Sequence, residues 1–210
     1  MKNKILTQGH FDGFCLLYSI LNSYKALVNP SQTASKFVES NFNKWSKLIS
    51  ISPSLQNFSS GEGSNFGIDT NRIDIKLKRL FIESCFDVLT ERNNNNFTVT
   101  RESIETLKNF NFNNSVVIIA LKDEAILEHG QIGDHWITII GKDDDNERFL
   151  VACSYTLHKY GFKEQVDINT ERVFNNTMPY SEMKKKYLYE NAIHGIHINF
   201  NMIEKSQEKH

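Results

Sequence analysis

Hydrophobic and polar positions divide the chain into two parts with different periods. In the first part, apolar residues recur every three to four positions, the period of a helix with one buried face. Phe14, Leu17, Leu21 and Tyr24 predict a helix running to about Leu27. Asp12-Gly13 forms its N-cap region and Asn29-Pro30 stops it. Ala34, Phe37, Val38, Trp45, Leu48 and Ile49 predict a second helix from about Ser31, its cap, to Ile49. Ile51 to Ile68 is rich in Ser, Gly and Asn and reads as a loop. A third helix begins after Asp69 or Thr70 and carries Ile73, Leu77, Leu80 and Phe81.

The second part reads mainly as strands. Phe86 to Thr90 and Phe97 to Thr100 are short candidates, and Arg101 to Phe110 follows as a helix. Val116 to Leu121 is a continuous apolar strand. His135 to Gly141 and Phe149 to Tyr155 flank a hairpin turn at Asp143-Asp144-Asp145-Asn146. Val166 to Ile168 and His194 to Phe200 read as edge strands. Helices first and an antiparallel sheet afterwards is an α+β order. With no dividing linker, the expectation is one domain over residues 1–203 and a polar tail from Glu204 to His210.

Composition narrows the function classes. The 210 residues carry 24 Lys+Arg against 25 Asp+Glu, a net charge of −1. Such a chain lacks the positive field that binds phosphate backbones, so no nucleic-acid partner is expected. No apolar run approaches the roughly 18 residues that span a bilayer, so no membrane partner is expected either. Gln8, Gly9, His10 and Asp12 interrupt the segment that a signal peptide would need to be apolar. The expected location is therefore cytoplasmic, with signal-less secretion left open.

The 3 cysteines are odd in number and scattered, which does not make a disulfide framework. One thiol is thus available for chemistry. Neither CxxC nor HExxH occurs. His194 and His197 lie three apart on a predicted strand and so face opposite sides. Gly61-Glu62-Gly63 is not followed by the Lys-Ser or Lys-Thr of a phosphate loop. No metal or other cofactor is expected.

The stretch from Gln8 to Leu21, QGHFDGFCLLYSIL, carries the candidate chemistry. Cys15 falls at the first turn of a predicted helix, where N–H groups and the helix dipole stabilise a thiolate. Gly13 permits a sharp entry into that helix. Gln8, on the incoming loop, can donate an amide proton to an oxyanion beside the Cys15 N–H. A thiolate nucleophile needs a base, and His135 opens an apolar strand after Gly133-Asp134. An orienting partner for that base belongs on the next strand, where Cys153 and Ser154 stand. His10 is a local rival for the base, although its loop position suits a solvated role. Asp12 reads as a cap and Trp136 as core or cleft wall. Asp134 faces away from His135 once the strand has begun, and Cys85 reads as a buried packing residue.

These residues resemble the papain-like cysteine peptidases, in particular the compact bacterial group related to the peptidase C39 type. The resemblance rests on Gln8, a short loop, Cys15 opening a helix that also holds Tyr18 and Asn22, and a late His135-Trp136 on a strand. It implies Cys15 as nucleophile, His135 as base and Gln8 as oxyanion-hole amide. It also implies N-terminal helices packed against a C-terminal antiparallel β-sheet, and metal-free cleavage of peptide or isopeptide bonds in a peptide or protein substrate. The family's third residue is normally Asp or Asn, whereas the matching strand here reads Ala152-Cys153-Ser154-Tyr155. The same Cys–His pair would serve a peptidoglycan amidase, a deamidase or an acyltransferase. A non-catalytic binding module on a decayed peptidase fold is the remaining alternative.

Overall fold

A computed structural model describes residues 3–7, 14–51, 72–90, 97–128, 130–132, 134–155 and 163–199. Gln8, His10, Asp12, Gly13, nearly all of the predicted 51–68 loop and the polar tail lie outside the described residues.

Among the described residues, the chain begins with helices α1 (Cys15–Val28), α2 (Ala34–Ser40), α3 (Phe42–Ser50) and α4 (Arg72–Thr90). Strand β1 (Phe97–Arg101) and the single-turn α5 (Ile104–Leu107) come next. Then follow β2 (Ser115–Leu121), β3 (Ile126–Leu127), β4 (Gly130–Gln131), β5 (His135–Asp143) and β6 (Arg148–Ala152). The chain continues through β7 (Gln165–Val166), β8 (Val173–Phe174) and β9 (Asn176–Pro179) to the long β10 (Leu188–Ile198). Six strands form one open antiparallel sheet in the order β1-β10-β2-β5-β6-β9. The architecture is therefore α+β. No helix of the described residues is long and apolar enough to cross a membrane.

The sheet is buried on both faces, which explains why its central strands are continuously apolar instead of alternating. On one face Val116, Ile118, Ala120, Trp136 and Ile140 pack with the helical residues Leu17, Ile20, Leu21, Ile82 and Phe86. On the other, Val117, Ile119, Ile137, Ile139, Phe149, Val151 and Cys153 pack with Leu107, Phe110, Phe112 and Met178. Helix α1 is buried nearly all round, as a central core helix is. Its buried polar groups are satisfied: Ser23 Oγ donates to the Ser19 carbonyl at 2.7 Å.

Five expectations change. The predicted second helix is two helices broken at Asn41, whose side-chain amide donates to the Phe37 carbonyl at 2.9 Å and competes with the helical ladder. Its cap is Thr33, which accepts from Lys36 N, not Ser31. Phe86 to Thr90 is the end of α4, not a strand. Phe81, Ile82, Cys85, Phe86 and Leu89 form one buried stripe at helical spacing, so burial of that stripe overrides the local β preference. Arg101 to Phe110 is helical only over α5: Arg101 ends β1, and Ser103 and Thr106 close a capping box. Strand β10 begins at Leu188, before the expected His194, with a register shift between Leu188 and Ile193 that breaks the period-two pattern.

Candidate active site

Cys15 is the first residue of α1. Phe14 at the N-cap gives no side-chain cap, and no acidic residue stands in the first turn. No carboxylate from these positions therefore opposes the positive end of the helix dipole.

Hydrogen bonds fix how α1 lies along β5. Ser19 Oγ donates to the Trp136 carbonyl at 2.8 Å, and Thr138 Oγ1 donates to the Ser19 carbonyl at 2.9 Å. One turn on, Ser23 Oγ lies 3.2 Å from Thr138 Oγ1. Helix and strand thus run in the same direction. Four helical residues advance about 6 Å and two strand residues about 6.6 Å, so the two elements stay in step. One turn back from Ser19, the same step brings Cys15 level with Asp134 and His135.

His135 is the first residue of β5, pairs with Leu121 across the ladder and is 2% exposed. Alternation places its side chain with Ile137 and Ile139, on the sheet face away from the helices. The Tyr155 ring lies there at 5.5 Å. Cys15 belongs to the helix-side cluster and is 3% exposed. Cys15 and His135 therefore stand at the same end of the sheet, on its two faces. Asp134 is engaged elsewhere, accepting from the Tyr189 hydroxyl at 2.7 Å. Burial chiefly, and then this carboxylate, push the Tyr189 phenol pKa up.

Cys153 and Ser154 follow directly on β6, and both are buried. Asn175 takes the place of a strand at that point. Its Oδ1 accepts from Cys153 N at 2.8 Å, and its Nδ2 donates to the Cys153 carbonyl at 2.9 Å. Burial chiefly pushes the Cys153 thiol up to about 12, against a hydrogen bond with the Tyr155 backbone that lowers it and with a smaller raising contribution from Cys15. Cys153 is accordingly a neutral thiol and a weak acceptor. Burial also pushes up the thiol of Cys85, which packs at 0% exposure in the helix-side core.

Gln8 lies outside the described residues, but the segment leading to it is held firmly. Leu6 N donates to Asn22 Oδ1 at 2.9 Å, and Asn22 Nδ2 donates back to the Leu6 carbonyl at 3.0 Å. The Glu164 carboxylate accepts from Lys4 N and Ile5 N at 2.8 and 2.7 Å. Asn22 and Glu164 thus fix the approach of the N-terminal segment to α1. Nothing in the sequence signals Glu164, whereas Asn22 stood in the motif without an assigned contact. Tyr155 and Asn175 were also unforeseen. Extending the register of β6 three residues past its end finds Tyr155, which then stands opposite His135. Asn175 has no pattern that marks it.

The described residues hold no group of three or more His, Cys, Asp or Glu side chains arranged for a metal ion. No protein-family model matches the chain, and no curated protein matches it.

Proposed function

We propose that this protein is a papain-like thiol hydrolase that cleaves peptide or isopeptide bonds through Cys15 and His135. The observation that carries the reading is the register of α1 on β5. It brings the first residue of a buried helix level with the first residue of a central strand, and those two residues are a cysteine and a histidine. Cys15 Sγ attacks the amide carbonyl carbon and its proton passes to the imidazole. The developing oxyanion accepts from the Cys15 N–H and the Gln8 amide. The imidazolium then protonates the leaving amine, leaving a thioester that water hydrolyses with His135 again as base. Of the two candidate orienters, Cys153 packs on the same sheet face as His135, whereas Ser154 offers a hydroxyl oxygen, a better acceptor for an imidazole N–H than the neutral Cys153 thiol. Incubating the purified chain with mixed peptide and isopeptide substrates tests this. New amino termini that vanish with Cys15→Ala and with His135→Ala are expected; equal turnover by Cys15→Ala would refute the assignment.

A second reading, a non-catalytic binding module on the same fold, is favoured by the 3% and 2% exposure of Cys15 and His135. The two readings part on thioester formation. Intact-mass detection of an acyl adduct on Cys15 from an activated peptide ester supports the hydrolase. Absence of any adduct alongside stoichiometric peptide binding supports the module.

A further inference from the structure

A second cluster of reactive side chains lies on the far face of the sheet, away from α1. Ser115 opens β2 and stands directly across the ladder from His197 on β10. Ser115 Oγ is 2.7 Å from His197 Nδ1, and Thr100 Oγ1 is 2.8 Å from His197 Nε2. Thr100 Oγ1 in turn donates to Glu102 Oε1 at 2.7 Å.

The proton directions follow from the donor inventory. Ionised Glu102 only accepts, so the single hydroxyl proton of Thr100 is spent on it. Thr100 Oγ1 must then accept from His197 Nε2–H. Neutral His197 with its proton on Nε2 has a bare Nδ1, which accepts from the Ser115 hydroxyl. The carboxylate thus selects the imidazole tautomer two bonds away, and that tautomer turns its base nitrogen towards a hydroxyl. Burial lowers the His197 pKa, which keeps the imidazole neutral as a base, and Glu102 partly offsets that; if His197 takes up the Ser115 proton, the Thr100 and Glu102 contacts survive.

Two further observations set this cluster apart from a chance cross-strand pair. Glu102, Asn109, Phe110, Asn114, Ser115 and His197 line a cavity of about 600 Å³, so both ends of the pair meet open volume. Gly195 sits against the relay: a Cβ there would come within 2.6 Å of Thr100 Oγ1 and 2.9 Å of His197 Nε2. The backbone is cleared to let the three side chains meet.

We propose that Ser115 is a second, activated nucleophile of this protein, served by His197 as base and taking small neutral or cationic acyl esters in the adjoining cavity. The Ser115 Oγ–acyl bond forms as the Oγ–H proton passes to His197 Nδ1. The ester C–O bond then breaks, and the alkoxide leaves with that proton. Water, deprotonated by the same nitrogen, hydrolyses the acyl-serine. The acidic and amide lining, with Glu102 and Glu105 both present, disfavours anionic acyl groups.

The test is labelling of the full chain with a fluorophosphonate, which traps activated hydroxyls, followed by peptide mapping. A phosphonyl adduct on Ser115 is expected, with the labelling rate falling roughly 100-fold in His197→Gln, the scale of a general base. Gln keeps a donor and an acceptor in place but cannot take the proton, so this variant separates proton transfer from packing. Its thermal melting is read in parallel to verify that it is folded. Gly195→Ala, whose Cβ collides with the relay, is expected to lose labelling as well. Absence of an adduct on Ser115 in the folded wild type overturns the proposal, and so does labelling that persists at the wild-type rate in folded His197→Gln.

Discussion

At the scale of single residues, the three cysteines differ by environment. Cys85 and Cys153 are buried with raised thiol pKa values, which leaves them protonated across the physiological range. Cys15 stands at the positive end of a helix with no acidic first turn. The orienting residue is tested by substitution. Ser154→Ala is expected to lower kcat about tenfold with little change in KM, since a hydrogen bond to the imidazole acts only through His135. Cys153→Ala is expected to leave kcat within about twofold. The reverse ranking would reassign the role to Cys153.

Of the four site positions expected from sequence within the described residues, Cys15 and His135 rest on local signals. Each opens an element, and element starts are marked by glycine, polar residues and the onset of an apolar run. The contacts that hold the surroundings are long-range and leave no periodic trace. Asn175 reaches Cys153 across 22 positions and Glu164 reaches Ile5 across 159.

At the scale of elements, α4 and the end of β6 carry the sharpest expectations. Phe86 lies on the buried stripe of α4, with its ring 4.8 Å from that of Phe97 and 6.0 Å from that of Tyr24. Phe86→Ala is expected to lose about 3 kcal/mol of stability in urea unfolding, the cost of a large core truncation. A loss under about 1 kcal/mol would mean that the helix is not seated there. Asn175→Ala removes both partners of the Cys153 peptide groups. It is expected to cost about 2 kcal/mol, the penalty of stranding buried backbone donors and acceptors. A melting temperature unchanged from wild type would contradict the clamp.

The order of helices followed by an antiparallel sheet was legible because long periodic segments identify themselves. The misread pieces share a cause. Phe86 to Thr90 and Arg101 to Phe110 are short runs whose state is decided by what they pack against, and β10 crosses a bulge that breaks its alternation. Asn41 splits one predicted helix into two through a side-chain bond that a hydrophobic pattern does not contain.

At the scale of the whole molecule, the core encloses two cations among the described residues. Arg172 spends its guanidinium on the carbonyls of Phe112, Asn113, Ser115 and Ile140, and so ties the start of β2 to β5. Lys25, 4% exposed, donates to the Pro30 carbonyl at 3.1 Å. Burial lowers its pKa from 10.5 to about 8, partly offset by Glu164. Below about pH 8 the amine is charged in both folded and unfolded states, and the fold bears the cost of burying it. Between pH 8 and 10.5 the folded state releases the proton that the unfolded chain still holds, so this group's contribution to stability rises with pH. Against Lys25→Met as reference, wild type is expected to gain about 2 kcal/mol between pH 7 and pH 10 in urea unfolding. A flat difference would show that the amine is solvated.

The central claim is that Cys15 and His135 form one reactive unit, and alkylation resolved by residue tests it most directly. Iodoacetamide modification of the native chain is followed by peptide mass mapping from pH 5 to pH 9, for wild type and for His135→Ala. The account predicts that Cys15 reacts at least about tenfold faster than Cys85 and Cys153 at pH 6, because a paired thiolate persists below the usual thiol range. It also predicts that His135→Ala moves the Cys15 profile up towards an ordinary thiol near about 8.5. A Cys15 that reacts as slowly as Cys85, or whose pH profile is unmoved by His135→Ala, contradicts it.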